Sequence, residues 1–338
     1  MYKKLFGIVL FAHLIVLGYL GLRTDVSPKL DKNGNSESAF ASVPRQSDSS
    51  ILEDDDDLLE PVKPTLDKPI FIEFDASAPN QLPASIRSDD MGTGILVEIP
   101  SGRVLWQKNS KKPVGIASMT KMMTALLAFE DIRIRDEINL QTQVQVTNAA
   151  YRIGGSQVWL DPREVFSLEE LLISVMVKSA NDSAYLVGEF LADGNMSQFI
   201  TRMNKRAQEL NMVSTQFFNA HGLSEKTTDN TSNCEDLARL AHELLQYDQA
   251  TEWAAMPTYA FRANADEPTL LANHNTLLKT TIGVDGMKTG YTKRAGFCIT
   301  ATCIRNDRRL IAVTTGFTSS KRRDDFTRNL LDWGYTLP

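Results

Sequence analysis

The sequence predicts a mixed α/β fold of the α+β type, in which helices pack against an antiparallel sheet. Three observations favour it. Two alternating apolar segments flank a turn in residues 92–109, helical periodicity dominates from 118 to 247, and strand-like runs return at 296–304 and 309–316 before a last helical segment. Strands on both sides of a helical block predict that the two ends of this region meet in one sheet.

Each element follows from a local pattern. The segments around Ser101 and Gly102 alternate apolar and polar side chains, which is typical of a β-hairpin. Residues 118–132 have helical periodicity, and Ser118 lies at their start. Their predicted apolar stripe consists of Met122, Ala125, Leu126 and Phe129. Further helices are predicted at 167–177, 183–192, 197–210, 234–247 and in the last segment, 323–335.

Composition and charge exclude several classes of protein. The 338 residues are 42% hydrophobic and 23% charged, which is ordinary for a folded protein and excludes collagens, coiled coils and wholly disordered chains. The net charge is -6, and no part of the chain has the concentrated basic surface that binds nucleic acid. The three cysteines are too few and too scattered for a disulfide framework, and the pairing of Cys234 stays open.

The amino-terminal segment, residues 1–24, predicts a membrane anchor or a signal segment. Residues 5–22 form an uncharged apolar run behind Lys3 and Lys4, at the lower edge of the length that spans a bilayer. A small-residue cleavage site does not follow directly, which favours an uncleaved anchor over a cleaved signal and secretion. In both cases the two lysines keep the amino end inside, so the rest of the protein lies outside the cytoplasm.

Residues 25–87 predict a disordered acidic tether, rich in serine and proline, ahead of a folded domain at 88–338. Residues 25–90 hold 15 acidic and 6 basic side chains, including the run Asp54 to Asp57. Such a segment buries too little apolar surface to fold alone. We interpret the acidic run as a spacer and not as a cation site.

Three short motifs in the folded domain carry the chemistry. They are Ser118-Met119-Thr120-Lys121, Ser179-Ala180-Asn181 and Lys288-Thr289-Gly290. Ser118 and Lys121 share a helix face, so a desolvated lysine amine is able to take the serine proton. Alone, each motif has a structural explanation as a helix cap, a solvated charge or a turn. Together they indicate a nucleophilic serine site.

The second and third motifs add groups for substrate. A hydroxyl at Ser179 is able to relay a proton, and the Asn181 amide to hold a substrate carbonyl. Gly290 allows a substrate backbone to approach closely, while Lys288 and Thr289 are able to bind a carboxylate.

The three motifs resemble those of the penicillin-recognising serine enzymes. Their contexts IASMTKMMTA, LLISVMVKSANDSA, FFNAHGL and VDGMKTGYTKRAGF are similar to the low-molecular-weight penicillin-binding proteins, the serine D-Ala-D-Ala carboxypeptidases, over about residues 88–335. The resemblance implies a β-lactamase/transpeptidase-like fold with an all-helical subdomain, and no metal or cofactor. The implied partners are peptidoglycan stem peptides and, as covalent inhibitors, β-lactam antibiotics.

The resemblance implies an acyl-enzyme mechanism. Ser118 would attack the D-Ala-D-Ala carbonyl with Lys121 as base, and Ser179, aided by Lys288, would pass the proton to the leaving D-alanine. Water would then release the acyl chain, giving a D,D-carboxypeptidase. Replacing Ser118 by alanine should abolish both hydrolysis and penicillin labelling.

The resemblance also implies binding residues. The amides of Ser118 and Tyr291 would form the oxyanion hole. Arg323 resembles a family arginine that binds the terminal carboxylate, although Arg322 and Arg308 are competitors for that role. The substrate would be held by residues of two motifs, Asn181, Thr289 and Gly290. Alanine in the middle of the second motif and tyrosine after the third depart from the residues that family members often have, and they leave substrate preference open.

Four alternatives remain beside the carboxypeptidase. A β-lactamase needs a water-activating glutamate in an E-x-x-L-N context, and residues 182–287 contain no such pattern. A metallopeptidase needs paired histidines in an H-E-x-x-H pattern, which this chain lacks, and we interpret His221 as structural. A D,D-endopeptidase that cleaves peptidoglycan cross-links fits the same residues, and the end of the sequence soon after LLDWGY favours it, because shortened family members include such enzymes. A membrane-tethered binder of cell-wall peptide without activity is the non-enzymatic alternative.

Overall fold

The computed structural model describes residues 72–77, 79–86, 90–224 and 228–338. The predicted membrane segment 1–24 and most of the predicted tether lie outside these residues. Within the described ranges, no helix combines the length and the apolar character needed to cross a bilayer.

The main sheet is antiparallel, as the sequence predicts. In the described part of the chain it has five strands in the order β2-β1-β11-β10-β9. The strands are β1 Gly94–Ile99, β2 Val104–Lys108, β9 Val284–Thr292, β10 Gly296–Arg305 and β11 Arg308–Phe317. The first strand pairs with the last, from Gly94 opposite Thr314 to Ile99 opposite Arg309. The two ends of the domain therefore meet at the centre of the sheet.

Helices cover both faces of this sheet. The helices of the described residues are α1 Lys121–Ile134, α2 Asn148–Tyr151, α3 Leu168–Val177, α4 Asn181–Leu191, α5 Met196–Glu209, α6 Cys234–Leu244, α7 Asp248–Ala255, α8 Leu277–Thr280 and α9 Ser320–Gly334. On β1, Ile95 packs into a core with α1 and α6, while its neighbour Leu96 packs into a second core with α9. Successive side chains point to opposite faces of a strand, and here both faces are buried.

Helix α1 differs from its prediction. The periodicity predicts one apolar stripe, but every side chain from Lys121 to Asp131 is buried. The helix lies inside the helical block, where it contacts α3, α4, α5 and α6. A helix surrounded by others buries its polar side chains too, which places Lys121 in the interior.

Six short strands of the described residues form two-stranded sheets outside the main sheet. They are β3 Val114–Gly115, β4 Gln143–Gln145, β5 Val165–Ser167, β6 Thr231–Ser232, β7 Thr258–Phe261 and β8 Thr269–Ala272, and they pair as β3 with β6, β4 with β5 and β7 with β8. Helix caps explain several boundaries: the side chains of Ser167, Asn233 and Ser319 accept hydrogen bonds from the first turns of α3, α6 and α9.

The folded part starts earlier than the predicted boundary at residue 88. The backbone amide of Asp75 donates to the Gly102 carbonyl at 3.0 Å, and the backbone carbonyl of Asp75 accepts from the Val104 amide at 2.8 Å. Ile72 is buried, and Arg239 lies over the Phe74 ring. These backbone hydrogen bonds and apolar contacts attach residues 72–77 to the hairpin, whereas the acidic composition of residues 25–87 had indicated a tether throughout.

Candidate active site

Ser118 lies in a tight 3-10 turn, Ala117–Thr120, directly before α1. Ala117 has φ of +47°, a strained conformation for a residue with a side chain. The strand β9 approaches this turn so closely that a Cβ at Gly290 would lie 2.8 Å from the Ile116 carbonyl oxygen. Ser118 is half-buried and makes no helix-capping hydrogen bond. The turn and the glycine therefore present the serine at the base of a cleft.

Lys121 is completely buried, and its Nζ points at the serine. Nζ lies 3.2 Å from the Ser118 Oγ, 2.6 Å from the Asn181 Oδ1 and 2.5 Å from the His221 carbonyl oxygen. Burial, reinforced by the charge of Lys288, lowers the pKa of Lys121 well below its usual value, against a smaller opposite effect of Asp182. A neutral amine has two N–H bonds and one lone pair. In the neutral form the two carbonyl oxygens would accept the two N–H bonds, which leaves the lone pair for Ser118.

The second motif forms the turn between α3 and α4. Ser179 has φ of +61°, and its Oγ is buried without a hydrogen-bond partner among the described residues. Asn181 is the first residue of α4, and its side chain does not cap the helix. Instead its Oδ1 accepts from Lys121 and its Nδ2 donates to the Gly154 carbonyl, at 2.8 Å. The Asn181 side-chain amide thus positions Lys121. It also lines the cleft, where the sequence analysis predicts that it holds substrate.

The third motif lies in the edge strand β9. Lys288 is buried and donates to the Thr289 carbonyl at 3.0 Å. Burial, and then the charge of Arg323, lowers its pKa to about 7. Tyr291 is half exposed, and its ring stacks on Phe297 of β10 with 4.1 Å between centroids. The strand thus places a hydroxyl and an aromatic surface along one wall of the cavity, next in the chain to a buried titratable amine.

Arg323 is the arginine that reaches the cleft. It lies in the first turn of α9, is 3% exposed, and donates to the Cys298 carbonyl at 3.3 Å. Asp324 accepts from its Nε and Nη2, at 2.8 and 2.7 Å. The two competitors pair elsewhere, Arg322 with Asp90 and Arg308 with Glu98. Tertiary structure therefore distinguishes three arginines that the sequence left as competitors.

A cavity of about 620 Å³ joins these residues. Every predicted site residue except Lys121 and Lys288 lines it, and these two amines are buried next to lining residues. The lining also includes groups that the sequence analysis missed, from the loop at 155–156, from residues 273–276 and from Phe297. Loop residues gave no signal in the sequence because their role depends on position and not on residue type.

His221 contributes its backbone to the site. Its carbonyl accepts from Lys121, and its Nδ1 accepts from the Leu223 amide at 3.1 Å. Burial, and then the charge of Lys121, lowers the histidine pKa to about 3, so the ring is neutral. The described residues include no group of three or more histidine, cysteine, aspartate or glutamate side chains arranged to hold a metal ion. All three cysteines are buried free thiols.

The fold and the serine-lysine cluster are those that the sequence analysis expects of the class of penicillin-recognising serine enzymes. The chain belongs to the peptidase S11 family, described as D-alanyl-D-alanine carboxypeptidase, whose profile matches residues 77–319. The resemblance drawn from the three motifs is thereby confirmed, and so is the fold class.

Individual relatives and solved structures are similar to this chain in sequence and in fold. D-alanyl-D-alanine carboxypeptidase DacF of Bacillus subtilis (strain 168) is 36% identical over 244 residues, which cover 72% of this chain and 62% of the relative. Penicillin binding protein 6B from Escherichia coli superposes with a TM-score of 0.69 at 28% identity, over 78% of this chain and 81% of that one. Penicillin-Binding Protein D2 from Listeria monocytogenes, in its ampicillin-bound form, superposes with a TM-score of 0.65 at 26% identity, over 73% of this chain and 98% of that one. This chain thus spans about 62% of the length of the curated relative.

Proposed function

We propose that this protein is a serine D,D-carboxypeptidase that removes the terminal D-alanine from peptidoglycan stem peptides. The observation that carries the proposal is the buried amine of Lys121, 3.2 Å from the Ser118 Oγ, with carbonyl acceptors for both of its N–H bonds. Burial lowers the pKa of this amine and thereby favours its neutral form. A base in that state accepts the serine proton without a metal or a cofactor.

Acylation begins when the Ser118 Oγ attacks the carbonyl carbon of the penultimate D-alanine. The Oγ–C bond forms while the hydroxyl proton moves to the Lys121 Nζ. The amides of Ser118 and Tyr291 hold the oxyanion. Gly290, which has no side chain, lets the substrate backbone approach the strand.

The leaving amine then needs a proton. The unpartnered Oγ of Ser179 lines the cavity and is suited to pass the proton from Lys121 to the nitrogen of the terminal D-alanine as the C–N bond breaks. Lys288, with a pKa near 7, supports this relay. Water afterwards attacks the acyl-enzyme: its oxygen bonds to the acyl carbon, the Oγ–C ester bond breaks, and one water proton passes to the Ser118 Oγ.

The terminal carboxylate of the substrate binds at the end of the cavity where Thr289 and Arg323 lie. Two Arg323 nitrogens are held by Asp324, which fixes the guanidinium plane toward the cavity. A β-lactam carries a carboxylate next to a reactive carbonyl in the same relative position. We therefore expect β-lactams to acylate Ser118 as covalent inhibitors.

The protein acts outside the cytoplasmic membrane, where its substrate lies. Residues 1–24 anchor it or direct its export, and the acidic segment that follows provides reach toward the wall. The carboxypeptidase is favoured over the endopeptidase, because the matched family and the curated relative DacF both carry the carboxypeptidase name. The intact serine-lysine geometry argues against a binder without activity.

A direct assay tests this function. Protein spanning residues 72–338 is incubated with a mixture of uncross-linked pentapeptide and cross-linked muropeptides, and both are followed by chromatography. We expect loss of the terminal D-alanine from the pentapeptide, and covalent labelling of Ser118 by a penicillin in mass spectrometry. Ser118→Ala should abolish both. Loss of the cross-linked dimers alone would make it an endopeptidase, and labelling that persists in Ser118→Ala would refute the nucleophile.

A further inference from the structure

One large apolar side chain beside the cavity is turned to solvent. Trp159 is 74% exposed, and its φ of +58° is unfavourable for a bulky residue. Burying an indole stabilises a protein, and a left-handed backbone costs free energy, so neither feature is explained by folding alone.

The backbone around Trp159 is held firmly in this conformation. The amides of its neighbours Val158 and Leu160 donate to the buried carboxylate of Asp182, at 3.1 and 3.3 Å. On the other side, Arg262 donates to the carbonyls of Val158 and Trp159, each at 2.9 Å. Glu164 holds that guanidinium at 2.6 Å. The loop is therefore built to present the indole, and the exposure is not a consequence of weak packing.

This loop is continuous with the active site. Gly155 and Ser156 line the cavity, and the Ser156 carbonyl accepts from the Asn181 amide at 2.7 Å. Asp182, which holds the loop, directly follows Asn181. Trp159 therefore follows the cavity wall by three residues along the chain.

We propose that Trp159 is a stacking platform for a sugar ring of the glycan strand whose stem peptide occupies the cavity. This inference rests on the proposed function. The carboxylate end of the peptide lies at Arg323, so the acyl end, which leads to the glycan, leaves over another part of the rim. The apolar C–H face of a pyranose packs on a flat indole, and the indole N–H donates to a hydroxyl.

The surroundings favour a sugar over an apolar partner. Along the chain on either side of Trp159, Arg152 and Arg163 are exposed and Gln157 is partly exposed. A hydrated ligand keeps such groups solvated, whereas an apolar protein or lipid surface would bury them at a cost.

The test compares two substrates of the same chemistry. D-alanine release is measured for Trp159→Ala on a sugar-free pentapeptide and on polymeric peptidoglycan that carries pentapeptide stems. We expect kcat/KM on the polymer to fall about five- to tenfold, the loss typical of truncating an anchoring tryptophan, with the free peptide unchanged within about twofold. Trp159→Tyr should retain most of the activity. Val213→Ala removes a similarly exposed apolar side chain outside the site and serves as the control.

A binding arm separates this inference from the proposed function. In the Ser118→Ala background, retention on insoluble peptidoglycan is compared with and without Trp159→Ala, which needs no catalysis. Weaker retention without the indole supports the platform even if D-alanine release fails. Equal retention, or an equal loss of activity on both substrates, would overturn it, since the latter indicates a role in loop folding.

Discussion

Two buried charge clusters of this protein are built in opposite ways. In the helical block, Arg206 lies 2.7 Å from Glu130 and 2.8 Å from Glu243, so the cation is matched by carboxylates. In the active site, Lys121 and Lys288 are equally buried, yet neither amine forms a salt bridge with a described residue. In the first cluster the carboxylates provide counter-charges for the arginine and join helices. In the second cluster burial lowers the pKa of both amines, which favours their neutral form.

The difference follows from the cost of burying charge. A buried cation needs a charged partner or it gives up its proton. Carbonyl oxygens satisfy the N–H bonds of Lys121 without supplying a negative charge, so its pKa falls. An amide and a backbone carbonyl, in place of a carboxylate, favour the neutral amine that the proposed role as base requires.

The largest effect is expected from removing the amine. Lys121→Met should reduce penicillin acylation by more than about 10³-fold, because among the described residues it is the Lys121 amine that lies within hydrogen-bond distance of the Ser118 Oγ. It should not lower the unfolding midpoint, since the site held no salt bridge. Stopped-flow acylation and thermal unfolding measure the two. Lys111→Met, at an exposed lysine, is the control. Acylation above a tenth of the normal rate would show that a different group is the base.

The paired cluster should respond in the reverse manner. Arg206→Met leaves the buried Glu130 and the half-buried Glu243 without their cation, and we expect a loss of about 3 to 5 kcal/mol in the free energy of unfolding. Acylation of the folded protein should stay within about twofold. Adding Glu130→Gln should restore part of the stability, as chemical denaturation will measure. A loss under about 1 kcal/mol would mean that the cluster is not coupled to folding.

The smallest effect is a pH dependence with opposite signs in the two clusters. Burial raises the pKa of Glu130 to about 7, so the folded state binds more protons than the unfolded chain. Stability therefore falls as the pH rises from about 4.5 to 7. The pKa of Lys288 is lowered to about 7, so the unfolded chain binds more protons and stability rises from pH 7 toward 10.

Denaturation midpoints across this range separate the two contributions. Glu130→Gln should remove the fall at low pH, and Lys288→Met the rise at high pH, each on the order of 1 to 3 kcal/mol. Each variant serves as the control for the other. A variant whose stability depends on pH in the same way as the wild type would show that the replaced group has the same pKa in the folded and unfolded states.

Part of this organisation was readable in the sequence. The hairpin, the strands β10 and β11 and the helices α3, α5 and α6 lie close to their predicted positions, because alternation and helical periodicity are local. The three motifs supplied the residue types of the site. The stripe on α1 and the limit of the tether were misjudged, because burial on all sides and attachment of residues 72–77 depend on distant partners.

The sequence by itself determined which chemistry is present: a serine one turn before a lysine, a Ser-x-Asn turn and a K-T-G strand. Only the tertiary structure decided how that chemistry is tuned. It buries Lys121 between Asn181 and His221, selects Arg323 from three arginines, and turns Trp159 outward. The physical reason is that a pKa depends on desolvation and on neighbouring charges, which residues far apart in the chain supply together.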